Sequence, residues 1–157
     1  MGTRNRLEPK ATNLCFGCGG GNAEGMQLTF EEDTERERIE GTFVLGPRYQ
    51  GGGGMAHGGI IALLLDEAMG KVCRFRNARA VTAEMKVEFL KPVPVDAEIV
   101  VEGWQESETG RNLFLAGEIR DGAGRVLARG NGRFVVIAPR DEALAEKGKA
   151  AKSKLGN

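Results

Sequence analysis

The chain has 157 residues, of which 41% are hydrophobic and 28% are charged, with 22 basic and 22 acidic side chains. This length suits one domain with a single buried core. The balanced charge disfavours a nucleic-acid-binding surface, because neutralising phosphates requires an excess of basic side chains. No apolar run approaches the roughly 20 residues that cross a bilayer, and the polar N-terminus lacks the apolar stretch of a signal peptide. We therefore expect a cytoplasmic protein that binds neither nucleic acid nor membrane.

The first part of the chain predicts a flexible segment followed by two strands. Residues 1–13 are polar, and we expect them to be flexible. Apolar and polar side chains alternate over residues 26–33 and again over residues 36–45, as they do in half-buried strands. Before these strands, Cys15 and Cys18 form a C-x-x-C pair. Structural zinc takes four ligands, and the other cysteine and the single histidine lie far along the chain, so we expect a glycine-rich turn without a metal.

A long helix is predicted after the strands. From His57 onward the apolar period becomes helical, and the segment is apolar over most of its circumference as far as Val72. A helix of this kind is buried rather than laid on a surface. We expect it to end near residues 74–77.

Four strands are predicted to follow the helix, over residues 80–90, 97–105, 112–120 and 125–137. In the first of these, Thr82 shares the polar face with Glu84, Lys86 and Glu88. A buried helix needs a sheet to cover it, so the order of elements indicates an α+β fold in which a curved antiparallel sheet wraps one long central helix. We assign this domain to residues 14–138 and expect residues 139–157 to be a charged tail.

The start and the middle of the helix are the candidate sites of chemistry. Gly58 and Gly59 let an acceptor atom approach the free backbone N–H groups at the positive end of the helix dipole. Asp66 lies two turns later on an otherwise apolar surface, and burial of an unpaired carboxylate is costly. It therefore has a partner, has a raised pKa, or faces a wet cleft. A structural acid and packing glycines would also explain the pattern.

Three segments carry a resemblance to a known family. His57-Gly58-Gly59 is followed after six residues by Asp66 and preceded by Tyr49-Gln50-Gly51. Residues 13–19, with residues 22 and 25–28, form a leader, and residues 81–92 form the strand after the helix. Together, over about residues 13–137, these segments resemble the hotdog-fold acyl-CoA thioesterases of the phenylacetate-pathway and thioesterase-superfamily-member type.

The resemblance implies a hotdog fold and a hydrolase that acts on an acyl-CoA substrate without a metal or an organic cofactor. Gly58 would donate its N–H to the thioester carbonyl as the oxyanion donor. Asp66 would be the general base or the nucleophile. Thr82 would help to hold the water, and His57 would shape the loop around the carbonyl.

The same resemblance implies the residues that bind the substrate. Several family members have an asparagine where this chain has Gly51, and Gln50 is the natural substitute contact. Gly59 belongs to the same loop and helix start. Glu67 is included as well, although its position about 100° around the helix from Asp66 first suggests an ion pair with a basic side chain.

The spacing along the helix predicts an oligomer. Gly58 and Asp66 are eight residues apart, which is about 12 Å along a helix. One carbonyl carbon cannot contact both, so a cooperating pair must come from two chains related by a two-fold axis. The resemblance implies the same pairing, in a homodimer or a dimer-of-dimers tetramer.

Two other functions stay open on the sequence. A non-catalytic acyl-CoA-binding hotdog protein would use the same pocket to sense its ligand. A hydroxyacyl-thioester dehydratase would generally need a histidine base paired with an acid, and the single histidine, His57, precedes the glycines in the position expected of a loop residue.

Overall fold

The computed structural model describes residues 3–140, which form seven strands and one α-helix. The strands are β1 (Arg4–Leu7), β2 (Phe30–Asp33), β3 (Arg38–Val44), β4 (Ala78–Phe89), β5 (Glu98–Thr109), β6 (Asn112–Asp121) and β7 (Val126–Pro139), and the helix α1 is Gly58–Val72. Every neighbouring pair is antiparallel, in the order β1-β2-β3-β5-β6-β7-β4. The expected α+β arrangement of one helix and an antiparallel sheet is confirmed, and the sheet is open, with β1 and β4 at its edges.

The helix lies in the concave side of the sheet. It packs against β3, β4, β5, β6 and β7. Five adjacent strands span about 19 Å, whereas a helix with its side chains is about 10–12 Å wide, so the sheet must curve to reach it. The buried face of α1 consists of apolar side chains at helical spacing: Ile61, Leu64, Leu65, Ala68, Met69 and Val72. No helix within residues 3–140 is long and apolar enough to span a membrane.

Three glycines allow the helix to approach the sheet closely. Gly103 on β5 lies opposite Gly117 on β6, which in turn lies opposite Gly130 on β7. A Cβ atom at Gly103 would lie 2.7 Å from the carbonyl oxygen of Ala68 in α1, and one at Gly117 or Gly130 would lie 3.3 Å from the side chain of Leu65. These three glycines, called the glycine row below, form a groove in which α1 rests.

A bulge in β4 turns Thr82 toward the helix. Thr82 and Glu84 lie opposite consecutive residues of β7, so Ala83 between them is unpaired. Because of the extra residue, even-numbered side chains face the helix before the bulge and odd-numbered side chains face it after the bulge. Ala80 packs against the core before the bulge and Met85 does so after it. The strict alternation expected for this strand, with Thr82 on the same face as Glu84, is therefore wrong at Ala83.

The N-terminal part of the chain contains a strand where we expected a flexible segment. Arg4–Leu7 form β1, which pairs antiparallel with β2. Residues 141–157, which make up most of the expected charged tail, lie outside the described residues. The predicted boundary of that tail therefore stays a prediction.

The strand expected over residues 26–33 is shorter than predicted and begins at Phe30. Gln27 has a left-handed φ of 48°, which interrupts an extended strand. The N–H groups on either side of it bond to the carbonyl oxygens of Phe16 and Gly17. This stretch is therefore attached to the loop that contains the first two cysteines rather than to the sheet.

Replacement of Gly103 by alanine should destabilise the protein by about 2 kcal/mol, because the new methyl group would overlap the backbone of α1. The free energy of unfolding in urea measures the effect. Gly122→Ala is the matched control, since nothing lies within 4 Å of a Cβ at that position. Equal unfolding midpoints for the two variants would contradict the close contact between helix and sheet.

Candidate functional site

The first turn of α1 presents a free backbone donor. His57 is the N-cap residue, and its Nδ1 accepts a hydrogen bond of 2.8 Å from the N–H of Gly59. The His57 carbonyl oxygen accepts from the N–H groups of Ile60 and Ile61. Within residues 3–140 the N–H of Gly58 has no acceptor, so it is available to an oxygen atom from outside at the positive end of the helix dipole.

The loop before the helix is held in place by backbone hydrogen bonds. The N–H of His57 donates to Tyr49, and that of Gly51 donates to Met55. Gln50 is exposed and forms a β-bridge within this loop. A Cβ at Gly51 would lie 3.0 Å from the Cα of His57, so a larger residue there would press on the cap residue. The structure thus places His57, Gly58 and Gly59 next to Gln50 and Gly51.

An aromatic ring borders the free donor and was not identified from the sequence. Phe89, at the end of β4, lies 3.5 Å from the position that a Cβ of Gly58 would occupy. Its side chain is 57% exposed. The alternating pattern marked Phe89 only as one apolar residue of a strand, because the pairing of this strand end with the helix start exists only in the tertiary structure.

Asp66 lies in the middle of α1 and faces Thr82 on β4. The Thr82 hydroxyl donates a hydrogen bond of 2.6 Å to Oδ1 of Asp66. Burial raises the pKa of Asp66 above its ordinary value, the hydrogen bond from Thr82 lowers it, and the negative charge of Glu67 raises it. Among the described residues no donor bonds to Oδ2, so this oxygen is free to accept a proton or to approach an electrophile. Asp66 has both the partner and the raised pKa that its position on an apolar helix suggested.

Glu67 points away from Asp66 and toward the N-terminal loop. Its Oε1 accepts a hydrogen bond of 3.2 Å from the Cys15 thiol, and its Oε2 lies 3.9 Å from the Lys71 ammonium, which is the ion pair that its position suggested. Burial and the neighbouring Glu67 carboxylate raise the pKa of the Cys18 thiol to about 12. Cys15, Cys18 and Glu67 are the one group of three or more histidine, cysteine or acidic side chains in residues 3–140 whose ligand atoms are close enough to hold a metal ion.

The predicted residues therefore form two separate groups on one helix. Gly58 lies at the start of α1 with its loop, and Asp66 lies two turns further on with Thr82. At a rise of about 1.5 Å per residue, the two backbone positions are about 12 Å apart. Within a single chain, a thioester-sized group cannot contact the donor and the carboxylate at the same time.

Comparison with known proteins gives a family match for the middle of the chain. The family model described as "Thioesterase superfamily" matches residues 53–128, which contain α1, β4, β5 and β6. The acyl-coenzyme A thioesterase THEM4 of Bos taurus is 28% identical over 116 residues, which are 73% of this chain and 48% of that protein. The chain thus spans about half the length of this curated relative.

Solved structures show the same fold. A thioesterase superfamily protein of known crystal structure matches with a TM-score of 0.72 and 30% identity over 78% of this chain and 60% of its own. A hypothetical thioesterase from Streptococcus pneumoniae, solved with coenzyme A, matches with a TM-score of 0.64 and 20% identity over 66% of this chain and 84% of its own. Two further structures of that protein carry alanine in place of an aspartate and of a threonine sixteen positions later. The family match places residues 53–128 in the thioesterase superfamily, and the helix, the sheet and the structural matches show that the chain has the hotdog fold.

Proposed function

We propose that the protein is an acyl-CoA thioesterase that hydrolyses an acyl- or aryl-CoA thioester to the free acid and CoA. The observation that carries the proposal is the half-buried carboxylate of Asp66, bonded to Thr82, on the helix that begins with the free N–H of Gly58. Acyl-coenzyme A thioesterase is also the name of the bovine relative, and coenzyme A is present in the Streptococcus pneumoniae structure.

The spacing of Asp66 and Thr82 supports a functional role for the pair. The two residues are 16 positions apart in this chain. The aspartate and the threonine that were each replaced in the Streptococcus pneumoniae protein have the same separation. In this chain, the bulge at Ala83 is what turns the threonine toward the acid.

Hydrolysis requires an oxyanion donor and a proton acceptor on either side of the carbonyl. The Gly58 N–H donates to the carbonyl oxygen, whose negative charge grows as the carbon is attacked. As a general base, Asp66 takes a proton from water while the water oxygen bonds to the carbonyl carbon. The carbon–sulfur bond then breaks, and the CoA sulfur receives the proton. As a nucleophile, Asp66 instead attacks the carbon itself, releases the CoA thiolate and leaves an anhydride that water hydrolyses.

We infer that each site is composed from two copies of the chain. Strand β4 is an edge strand of 12 residues, and its edge carries exposed apolar side chains at Val81 and Phe89. A long edge of this kind pairs readily with another strand. Thr82, near one end of β4, bonds to Asp66, and Phe89, at the other end, borders Gly58.

The positions of Thr82 and Phe89 on β4 determine which groups would meet if two copies of this strand paired with each other. Two copies of β4 that pair antiparallel about a two-fold axis near residues 85 and 86 place Thr82 of one copy opposite Phe89 of the other. The Gly58 N–H of one copy then faces the Asp66 carboxylate of the other. A homodimer built in this way has two equivalent sites, and a tetramer would be a pair of such dimers.

Release of free thiol from short, long, branched and aromatic acyl-CoAs tests the activity. The wild-type chain should hydrolyse at least one of them, and Asp66→Asn should lower turnover by at least about a hundredfold, because the proton acceptor is lost. Affinity for CoA, measured by calorimetry, should change little. Asp96→Asn, the same substitution at an exposed site, is the control. If the wild-type chain binds acyl-CoA but hydrolyses none of the panel, the protein is the non-catalytic binding protein instead.

Gly58→Pro tests the oxyanion donor. Proline removes the N–H but suits the first position of a helix, and the extended backbone of His57 (φ −63°, ψ 138°) suits a residue before proline. We expect kcat to fall about a hundredfold or more, with the unfolding midpoint retained. Gly58→Ala keeps the N–H and should lose far less, since its Cβ would make an ordinary contact with Phe89 at 3.5 Å. Similar losses in both variants would exclude the N–H as the donor.

Co-expression of Gly58→Pro chains with Asp66→Asn chains tests the composite site. A mixed dimer has one site with both changes and one with neither, so random pairing should restore about a quarter of the wild-type activity. Each variant expressed alone is the control. Different affinity tags on the two chains show whether mixed dimers form. Mixed dimers without activity would mean that Gly58 and Asp66 act within one chain.

A further inference from the structure

The loop over residues 13–22, called the cysteine loop below, brings two thiols to one carboxylate of α1. The Sγ atoms of Cys15 and Cys18 and a carboxylate oxygen of Glu67 all lie within 4.8 Å of one another. All three residues are half-buried. The proposed thioesterase reaction uses none of them, so their convergence needs a separate explanation.

The cysteine loop is shaped to close around Glu67. A Cβ at Gly17 would lie 2.5 Å from Oε1 of Glu67, so a larger residue there would displace the Glu67 carboxylate from its place beside the thiols. A Cβ at Gly19 would lie 2.3 Å from the carbonyl oxygen of Asn13 and 2.5 Å from the N of Cys15, so the turn after the second cysteine also excludes a side chain. The close backbone packing of the cysteine loop therefore determines where its two thiols lie relative to Glu67.

Backbone hydrogen bonds hold the cysteine loop rigidly. The N–H of Gly19 donates to the carbonyl of Cys15 at 2.8 Å, which closes the turn between the two cysteines. The carbonyls of Phe16 and Gly17, between the cysteines, accept bonds of 2.7 and 2.9 Å from the stretch before β2. A ligand that binds to the two thiols would not have to order this loop first.

The chemistry of the three groups matches a divalent metal ion. Thiols are weak hydrogen-bond donors, so two of them solvate a half-buried carboxylate poorly. If both thiols lose their protons, the two thiolates and the carboxylate together carry three negative charges. A divalent ion and the ammonium of Lys71, 3.9 Å from the other oxygen of Glu67, balance that charge. Thiolate sulfur and carboxylate oxygen are both ligands of Zn²⁺, and C-x-x-C is a spacing found in zinc sites.

We propose that Cys15, Cys18 and Glu67 bind one Zn²⁺ ion, with the fourth tetrahedral position open to water. Two thiol protons pass to solvent when the ion binds, because thiolate is the ligand form. Ligand atoms on one tetrahedral zinc lie about 3.3–3.8 Å apart. The Sγ of Cys15 and Oε1 of Glu67 are already 3.2 Å apart, and no pair in the cluster exceeds 4.8 Å, so only a small contraction is needed. The ion fastens the cysteine loop to α1 beside Asp66.

Metal binding is tested first on the unaltered full-length chain. The protein is purified under reductant, treated with a chelator, and titrated with Zn²⁺ and with Co²⁺. We expect one ion per chain, a thiolate-to-cobalt charge-transfer band in the near ultraviolet, and a higher melting temperature with Zn²⁺. In mass spectra after alkylation, Zn²⁺ should protect Cys15 and Cys18.

Single substitutions identify the ligands. Cys15→Ser and Cys18→Ser should each weaken Zn²⁺ binding at least about a hundredfold, since loss of an outer-shell partner alone costs up to roughly that factor. Glu67→Gln should weaken binding and leave the charge-transfer band in place, because both thiolates remain. Cys73→Ala is the control for thiol number, since Cys73 is buried at the end of α1 and is not one of the three clustered ligands.

Three results would overturn the proposal. The first is a reduced wild-type chain that takes up no Zn²⁺ above the level of the double variant Cys15→Ser and Cys18→Ser. The second is alkylation of Cys15 and Cys18 at the same rate with and without Zn²⁺, which needs no variant to fold. The third is a protein mass that stays two hydrogen atoms below that of the fully reduced chain even under reductant. This mass would show that the C-x-x-C pair forms a disulfide that resists reduction.

Discussion

The close contact between α1 and the glycine row determines where every functional group of this protein lies. At Gly103 the helix backbone occupies the space in which any other residue would have its Cβ. The helix cannot rotate or rise without losing the packing of Leu65 and Met69 against Gly117 and Gly130. Because the depth and rotation of α1 are set in this way, the directions of its polar side chains are set as well.

Two neighbouring acids on this helix consequently have different environments. Successive residues of a helix point about 100° apart, so Asp66 faces β4 while Glu67 faces the cysteine loop. Asp66 receives a hydroxyl donor from Thr82 and keeps one oxygen free. Glu67 receives a thiol on one oxygen, and its other oxygen lies 3.9 Å from an ammonium. The acid with a free oxygen is the one suited to proton transfer.

Strand β4 connects the helix to the proposed second copy of the chain. Its inner side supplies Thr82 to Asp66 and Phe89 to the region of Gly58, and its outer edge has no partner strand within residues 3–140. The bulge at Ala83 makes both roles possible, since without it Thr82 would lie on the outer face with Glu84. One inserted residue thus decides whether the acid of the helix has a hydroxyl partner.

Local patterns in the sequence were sufficient for the fold class, for the start of α1 and for the four strands that follow it. Helical and strand periods depend on residues a few positions apart, and glycines after a capping residue mark a helix start. The sequence also indicated that Asp66 has a partner, has a raised pKa or faces a wet cleft, because burial of an unpaired carboxylate is costly. Only the tertiary structure decided which groups meet. The pairing of Glu67 with Cys15 joins residues 52 positions apart, and Thr82 reaches Asp66 through a bulge that alternation does not show. Such contacts follow from the packing of α1 against the curved sheet, and no local pattern encodes them.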